Sequence, residues 1–259
     1  MKRILMIIPL LAFLTFGCMF YETLVGSGDL VEVQMGYTGF TSLDVDAPFE
    51  VTVIHDNDYS VTVMVDDNIL DLVEVSQTGK TLSLDLSPQF GYGNMTLKAV
   101  VAMPILDGVK MSSASTVTVI DSASFPSVAS TSIDVSEASH LLISSVVTNE
   151  LTVSVTGASR ATIGALASGT TLIVEDASTV KMNGSSYDLT MTSAAASKAD
   201  LTDYETTDAS TTVSGASEAW VNVNGSLDVD VSGASSLYYH GAASIGYFNM
   251  TGASSFITY

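Results

Sequence analysis

Apolar and polar residues alternate along most of the chain, a period of two that predicts β-strands with one buried face. In the first half, polar turns such as His55–Asp58 and Thr78–Lys80 interrupt the alternation. The apolar positions fall in four segments: Leu43 to Val53, Val61 to Val65, Leu82 to Leu86 and Leu97 to Met103. Only Asp66–Leu72 suits a short helix, with an Asp cap and an acidic first turn. We predict a β-rich head over residues 29–105.

Residues 106–259 repeat a unit that is marked by the pair Ala-Ser. The pair begins at Ala114, Ala138, Ala158, Ala177, Ala196, Ala216, Ala234 and Ala253. Successive copies are 24, 20, 19, 19, 20, 18 and 19 residues apart, and a sustained period of this length is the signature of a solenoid. Because one repeat is too small to bury its own apolar face, like positions must stack from repeat to repeat.

The aligned copies predict the shape of one coil. Apolar residues alternate in a strand before Ala-Ser and in a second strand after it, whereas the residue directly after Ser is polar, from His140 to Ser255. Parallel pairing with the next coil, about 4.8 Å away, would line a single interior with these apolar columns. The predicted fold is all-β: a single-stranded parallel β-helix with rungs of about nineteen residues and a length of roughly 38 Å. The period fits neither a left-handed hexapeptide helix nor a propeller.

The residues around Ala-Ser predict a corner. Gly precedes Ala in several copies, where a turn needs a residue that tolerates a positive φ, as at Gly157 and Gly215. Glu137 and Asp176 stand at the same place in two copies, so we expect the corner not to be left-handed throughout. We expect Ala to face inward, and Ser to hydrogen-bond from rung to rung or to cap the corner backbone.

Composition and charge restrict the partners. Hydrophobic residues make up 47% of the chain and charged residues only 14%, which suits β-structure with many corners better than amphipathic helices. The net charge is −20, and so acidic a surface repels nucleic-acid phosphates and anionic lipid headgroups. We therefore predict no nucleic-acid partner and attribute the acidity to the solubility of a flat β surface.

The first residues have the three-part form of a secretory signal. Two basic residues precede an apolar run that is too short for a comfortable bilayer span. The run ends at Cys18, the only cysteine of the chain, in a phrase that resembles a bacterial lipobox, although Thr15 stands where that motif usually has Leu. We predict a signal peptide over residues 1–18, lipidation of Cys18 and a flexible tether over residues 19–28. Plain secretion and a retained membrane anchor are the alternatives.

Catalytic chemistry has little support in the sequence. The corners Gly157–Ala161 and Gly233–Leu237 lack the final Gly of a nucleophile elbow, and each Ser belongs to an eight-copy column. A polysaccharide lyase would gather acidic residues around a basic one, yet no Asp cluster flanks Arg160 or Lys198. We predict that the protein is not an enzyme and binds no cofactor.

Two acidic loops are weak candidates for Ca²⁺. One contains Asp56 and Asp58, and the other contains Asp66 and Asp67. Neither loop has the twelve-residue pattern with a central Gly and a terminal Glu. The alternative for each is a polar turn or a helix cap.

Aromatic residues gather toward the C-terminal rungs. Trp220 and Tyr238 fall in one outward column, one rung apart, where exposed aromatics suit contact with a carbohydrate or a protein. The alternative is that they shield the last rungs or pack against a subunit. An open solenoid end favours aggregation. We therefore expect the C-terminal end to be covered by a second copy, which would make a homo-oligomer, or by another envelope component.

Several short phrases occur in a characteristic order: Gly26–Gly28, Gly39–Val45, Phe49–Val53, Tyr59–Val63, Asp67–Asp71 and Thr81–Leu84. This order, together with the Ser-Gly-Ala-Ser phrases of the second half, resembles the head GIN domain family of auto-transporter adhesins. The resemblance implies a right-handed β-helix on bacterial envelope lipoproteins. It implies no established activity and no functional residues.

These observations lead to one functional hypothesis. We predict an exported, lipid-anchored protein of the cell envelope that serves adhesion or recognition of a surface glycan or protein. A β-helix polysaccharide lyase or hydrolase is the first alternative. A structural or signalling envelope component without a soluble ligand is the second.

Overall fold

The computed structural model describes residues 23–259, so the predicted signal peptide, Cys18 and residues 19–22 lie outside the described part. Two single turns of 3-10 helix, Leu70–Leu72 and Ser122–Ser124, accompany twenty strands. The strands are β1 (Thr23–Leu24), β2 (Leu30–Met35), β3 (Ser42–Asp46), β4 (Glu50–His55), β5 (Ser60–Asp66), β6 (Val73–Thr78), β7 (Thr81–Leu86), β8 (Gly91–Tyr92), β9 (Leu97–Met103), β10 (Gly108–Ser112), β11 (Thr116–Ile120), β12 (Val128–Val135), β13 (His140–Val155), β14 (Arg160–Val174), β15 (Thr179–Ser193), β16 (Lys198–Val213), β17 (Glu218–Val231), β18 (Ser236–His240), β19 (Ser244–Met250) and β20 (Ser255–Thr258).

Strand pairing confirms the predicted parallel β-helix. The long strands β13 to β16 each pair in parallel with the next strand of the chain over most of their length. The register advances by one repeat, so that Ala161 lies beside Val180 and Leu172 beside Met191. Each long strand therefore bends around its coil, and equivalent residues of successive rungs form straight columns.

The solenoid begins inside the predicted head. β3 and β4 form the first rung, because they pair in parallel with β10 and β11 of the next rung. On their other side lie β7 and β9, also parallel. Beyond these, β5, β2 and β6 pair antiparallel and close the N-terminal end. The stretch predicted as a short helix contributes only the 3-10 turn Leu70–Leu72.

One hydrophobic core fills the solenoid from Phe40 to Tyr239. The alternating apolar residues that predicted the strands point inward, and the exposed fraction of side chains such as Val153 and Val180 is 0%. Burying a side chain of this kind contributes about 1.5–3 kcal/mol. The periodic pattern alone therefore identified the interior, except in the last rung, where Phe248 is 50% exposed.

The corner differs from its prediction in two respects. The Ala of each Ala-Ser pair is exposed, and the Ser is buried in every copy except the last, so the expectation that Ala faces inward was wrong. The residue before Ala is left-handed even where it is not Gly, with φ of 55° at Glu137 and 56° at Asp176. The following Ala is left-handed as well in most copies, such as Ala177 with φ 61°. Two successive left-handed residues reverse the chain on the outside, and the third residue of the corner enters the interior.

The buried serines line up along the solenoid, and most of them bond the serine of the next rung, as the sequence predicted. The N–H of one serine donates to the hydroxyl of the serine in the next rung, for example from Ser139 to Ser159 at 3.2 Å and from Ser159 to Ser178 at 3.1 Å. A buried backbone donor without a partner costs about 1–3 kcal/mol. A hydroxyl that accepts the N–H of the neighbouring corner serine removes this cost from the turn. We call this set of corner serines the serine file.

The corner predicts opposite effects for two adjacent substitutions. Gly157 has φ 64°, and a Cβ there would lie 2.8 Å from the Glu137 backbone nitrogen, so Gly157→Ala should lower the free energy of unfolding by about 1–2 kcal/mol. The exposed Ala158 has φ 62°, and Ala158→Gly should leave stability equal or higher because glycine is unstrained there. Urea unfolding measures both, and a Gly157→Ala variant as stable as the parent would contradict this account of the corner.

The serine file predicts a second stability effect. The Ser197 hydroxyl donates to the Val174 carbonyl at 2.7 Å and lies 2.9 Å from the hydroxyl of Ser193, which is fully buried in a column otherwise filled by Val and Met. Ser197→Ala should lower the free energy of unfolding by about 1–3 kcal/mol, because it leaves Ser193 without a partner. Ser254→Ala is the matched control: Ser254 is the corner serine of the last, partly exposed rung, where water can replace the lost bonds. Equal losses in both variants would argue against the file.

Candidate ligand face and acidic loops

Trp220 and Tyr238 lie side by side on the outside of β17 and β18. They are register partners, and their rings are stacked with centroids 4.8 Å apart and planes 4° from parallel. The ring separation matches the spacing of about 4.8 Å between rungs, so both ring planes stand across the solenoid axis. Both side chains are partly exposed. We call this pair the aromatic stack.

Lys198 covers the remaining face of Trp220. Its Nζ lies 4.5 Å from the centroid of the Trp220 ring. Because Tyr238 fills the opposite side at ring-contact distance, the ammonium group must lie over the face that points to the preceding rung. Such a cation–π contact contributes about 0.5–1 kcal/mol at an exposed site. The Trp220 ring faces are thus used within the protein, and the stack presents its edges, which carry the indole N–H and the phenol hydroxyl.

The exposed surface continues to the last rung. Ile257 is the register partner of Tyr238 on its other side and is 40% exposed. The Tyr259 hydroxyl lies 3.2 Å from that of Thr202, three rungs away. The aromatic stack, Lys198, Ile257 and Tyr259 together form what we call the C-terminal aromatic face.

Sequence reasoning identified only the aromatic stack within this face. Lys198 could have been found, because it lies two residues before Asp200, which the register places beside Trp220. The contact between Tyr259 and Thr202 left no signal in the sequence, since it spans three rungs and depends on the path of the last residues.

The first acidic loop forms a local turn. Asp56 and Asp58 are both exposed, and the Asp58 N–H donates to Asp56 Oδ1 at 3.1 Å. A side chain that accepts a backbone N–H two residues on is an Asx turn. The geometry therefore favours the polar turn over a calcium site.

The second acidic loop holds the N-terminal segment. Asp66 is only 2% exposed, and its carboxylate accepts the Gly28 N–H at 2.7 Å and the Thr96 N–H at 2.6 Å. A side chain at Gly26 would collide with this carboxylate, so glycine is required there by close approach. Both carboxylate oxygens of Asp66 thus serve the structure.

Asp67 and Asn68 extend this contact. The Ser27 hydroxyl donates to Asp67 at 2.6 Å, and the amide of Asn68 bonds both the Ser27 N–H and the Val25 carbonyl. We call Asp66, Asp67 and Asn68 with their bonds to residues 25–28 the N-terminal latch. Because β1 also pairs with β8, residues 23–28 are held against the head and do not behave as the flexible tether that was predicted.

Charged residues pair singly across rungs and do not gather in a pocket. Lys110 bonds Asp44 at 3.1 Å, and this hydrogen bond raises the pKa of Lys110. The hydroxyl and N–H of Ser226 both donate to Asp208, which lowers the pKa of that carboxyl. Within residues 23–259, no three His, Cys, Asp or Glu side chains are arranged to hold a metal ion.

The serines of the two near-matches to a nucleophile elbow belong to the serine file. Ser159 and Ser235 are 2% and 1% exposed, and each accepts the N–H of a neighbouring corner. Their position gives both an architectural role. Among residues 23–259, there is also no helix of sufficient length and apolarity to cross a bilayer.

Comparison with protein-family models identifies the family of this chain. The model of the family described as "Putative auto-transporter adhesin, head GIN domain" matches residues 39–243. No curated protein matches the sequence. The serine file and both residues of the aromatic stack lie inside the matched range, whereas β19 and β20 lie beyond it.

Solved structures share the fold at low sequence identity. A "putative adhesin" from Parabacteroides merdae has a TM-score of 0.82 at 12% identity, covering 92% of this chain and 99% of its own. A "putative adhesin" from Parabacteroides distasonis has a TM-score of 0.82 at 15% identity, covering 91% and 99%. A "putative lipid binding protein" from the same organism reaches 0.84 at 12% identity, covering 92% and 100%.

The N-terminal latch predicts a local effect of Asp66→Ala. Removing the carboxylate leaves the Gly28 and Thr96 amides without their acceptor, so hydrogen exchange at Gly28 should accelerate at least about tenfold. Because a part-buried donor loses its partner, the global free energy of unfolding should fall by about 1–3 kcal/mol. Asp56→Ala, which removes an exposed turn acceptor, is the control and should leave Gly28 protected. Unchanged exchange at Gly28 in Asp66→Ala would contradict the latch.

Proposed function

The chain belongs to the head GIN domain family, and on that premise we propose that it is a non-enzymatic adhesion protein of the bacterial cell envelope. The family description and the names of the similar structures support an adhesion role. The proposal adds that Cys18 carries a lipid anchor and that the C-terminal aromatic face binds the ligand. The export signal with its lipobox-like end supports the first point.

The aromatic stack is the observation that carries the proposal. Its two rings are fixed by strand register, by their mutual stacking and by Lys198, so little conformational entropy remains to be lost on binding. Trp and Tyr supply a large rigid contact area with one polar group each. An edge that combines apolar ring carbons with an indole N–H and a hydroxyl suits a ligand that alternates C–H and O–H groups.

A surface glycan has this chemistry. The hydroxyls of a sugar can accept from the indole N–H and exchange hydrogen bonds with Tyr238, while its C–H groups contact the ring edges and Ile257. A neutral glycan is also not repelled by a chain of net charge −20, in contrast to an acidic polymer. We therefore propose a neutral glycan as the ligand class.

A paired substitution tests the proposal. Trp220→Ala combined with Tyr238→Ala should lower binding to a glycan array at least about tenfold, because it removes two anchoring aromatics. Tyr187→Ala is the matched control: Tyr187 is 59% exposed on β15, away from the face, and its loss should leave binding unchanged. Circular dichroism melts verify that both variants fold.

The outcomes separate the alternatives. Glycan binding that survives the double substitution, or that falls equally with Tyr187→Ala, would place the ligand elsewhere. Binding to a purified envelope protein without any glycan signal would favour a protein ligand. Release of reducing or unsaturated sugar ends would show an enzyme.

A further inference from the structure

The hydrophobic core is covered at the N-terminal end of the solenoid but exposed at the C-terminal end. At the N-terminal end, β2 and β6 and the 3-10 turn Leu70–Leu72 pack partly buried side chains against the core, among them Val31, Met35 and Val75. At the other end, the interior columns continue into the rung of residues 244–259, which no other part of the described chain covers. Ile245 and Phe248 are register partners of Leu227 and Val229, whose exposed fractions are 0%.

The interior is therefore open to solvent at the C-terminal end. Ile245 is 42% exposed and Phe248 is 50% exposed, although both stand in columns that are fully buried one rung earlier. Phe256 contacts the edge of the Phe248 ring at a centroid distance of 5.5 Å, which extends the apolar surface. Within the described chain, β19 and β20 pair along one edge only, with β17 and β18. Their free edges and the exposed core side chains form one surface, which we call the open end.

The distribution of charged side chains indicates which partner can cover the open end. Residues 231–259 contain no Asp, Glu, Lys or Arg, in a chain that carries 28 acidic and 8 basic residues. Two copies of a protein with net charge −20 repel one another over most of their surface at distances within about 10 Å, the screening length at moderate salt. At the open end, two copies can meet without bringing acidic side chains together.

We propose that the open end binds the open end of a second copy, in a two-fold symmetric, tail-to-tail dimer. A two-fold axis at this surface places the edge strands of the two copies antiparallel, so their free N–H and C=O groups can form ladder hydrogen bonds. Ile245 and Phe248 of each copy then meet across the interface and are removed from water. The interface is self-complementary and closes, so the assembly stops at two.

The size of the open end sets the strength of the dimer. Residues 244–259 make the last rung, sixteen residues in all, whereas a standard interface uses about 20–30 residues on each side. We expect a dissociation constant of roughly micromolar order. The dimer uses the end of the solenoid, whereas Trp220 and Tyr238 lie on its side; the two surfaces adjoin at β20, which carries Ile257. The test therefore substitutes Ile245, which is not part of the C-terminal aromatic face.

Sedimentation equilibrium tests the proposal on the chain from residue 23 onward, which contains every strand and core contact described above. Ile245→Glu puts a charge into the open end and should raise the dissociation constant at least tenfold. Leu166→Glu is the matched control, because Leu166 is a similarly exposed apolar residue (51%) on the side of β14. It should leave the dissociation constant unchanged. Thermal melts confirm that both variants fold.

Salt gives a second readout with a defined sign. Because the two copies carry like charge, raising NaCl from about 20 mM to about 500 mM should strengthen the dimer by screening their repulsion. Association through ion pairs would weaken instead. A protein that stays monomeric up to about 1 mM, a dimer that Ile245→Glu leaves intact, or growth into filaments would overturn the proposal.

Discussion

The solenoid depends on an outside corner that recurs from rung to rung. In most copies, two successive residues with positive φ make that corner, and the third residue is a serine that enters the core. Each part needs the others. The left-handed pair directs the serine inward, and the serine hydroxyl then accepts the N–H of the neighbouring corner, so a sharp turn leaves no buried donor unpaired. The stacked columns of Val, Leu and Ile follow from this repeated closure.

The fold was largely predictable because the rungs of a β-helix repeat, and each repeat leaves the same pattern of apolar and corner residues in the sequence. The alternation of apolar and polar residues predicted which positions point inward, and the spacing of the Ala-Ser pairs predicted the length of one rung. The direction of Ala at the corner was misjudged because a small residue at a tight corner suggested an inward position. Backbone geometry decided otherwise, since the serine side chain is required inside as a hydrogen-bond acceptor. Glu137 and Asp176 likewise adopt φ values that their residue types rarely favour, because the neighbouring rungs fix the path of the chain.

The candidate sites were less predictable than the fold, since they depend on contacts that the period does not encode. The column position of Trp220 and Tyr238 followed from alignment of the repeats, but the Lys198 ammonium over the indole required the actual side-chain path. Asp66 illustrates the limit more clearly. Its sequence neighbourhood suggested a cation, yet two backbone amides far away in sequence, at Gly28 and Thr96, supply the positive ends that the carboxylate needs.

The N-terminal latch determines from which end of the solenoid the preceding chain leaves. It fixes residues 25–28 to the head, at the end of the rod opposite the uncharged last rung. Whatever precedes residue 23 therefore departs from one pole, and a lipid there would leave the other pole farthest from its own bilayer. Two such molecules joined at their far poles would have their attachment points facing opposite ways. Molecules that stand upright side by side in one membrane could not form such a pair, whereas molecules anchored on two apposed cells could.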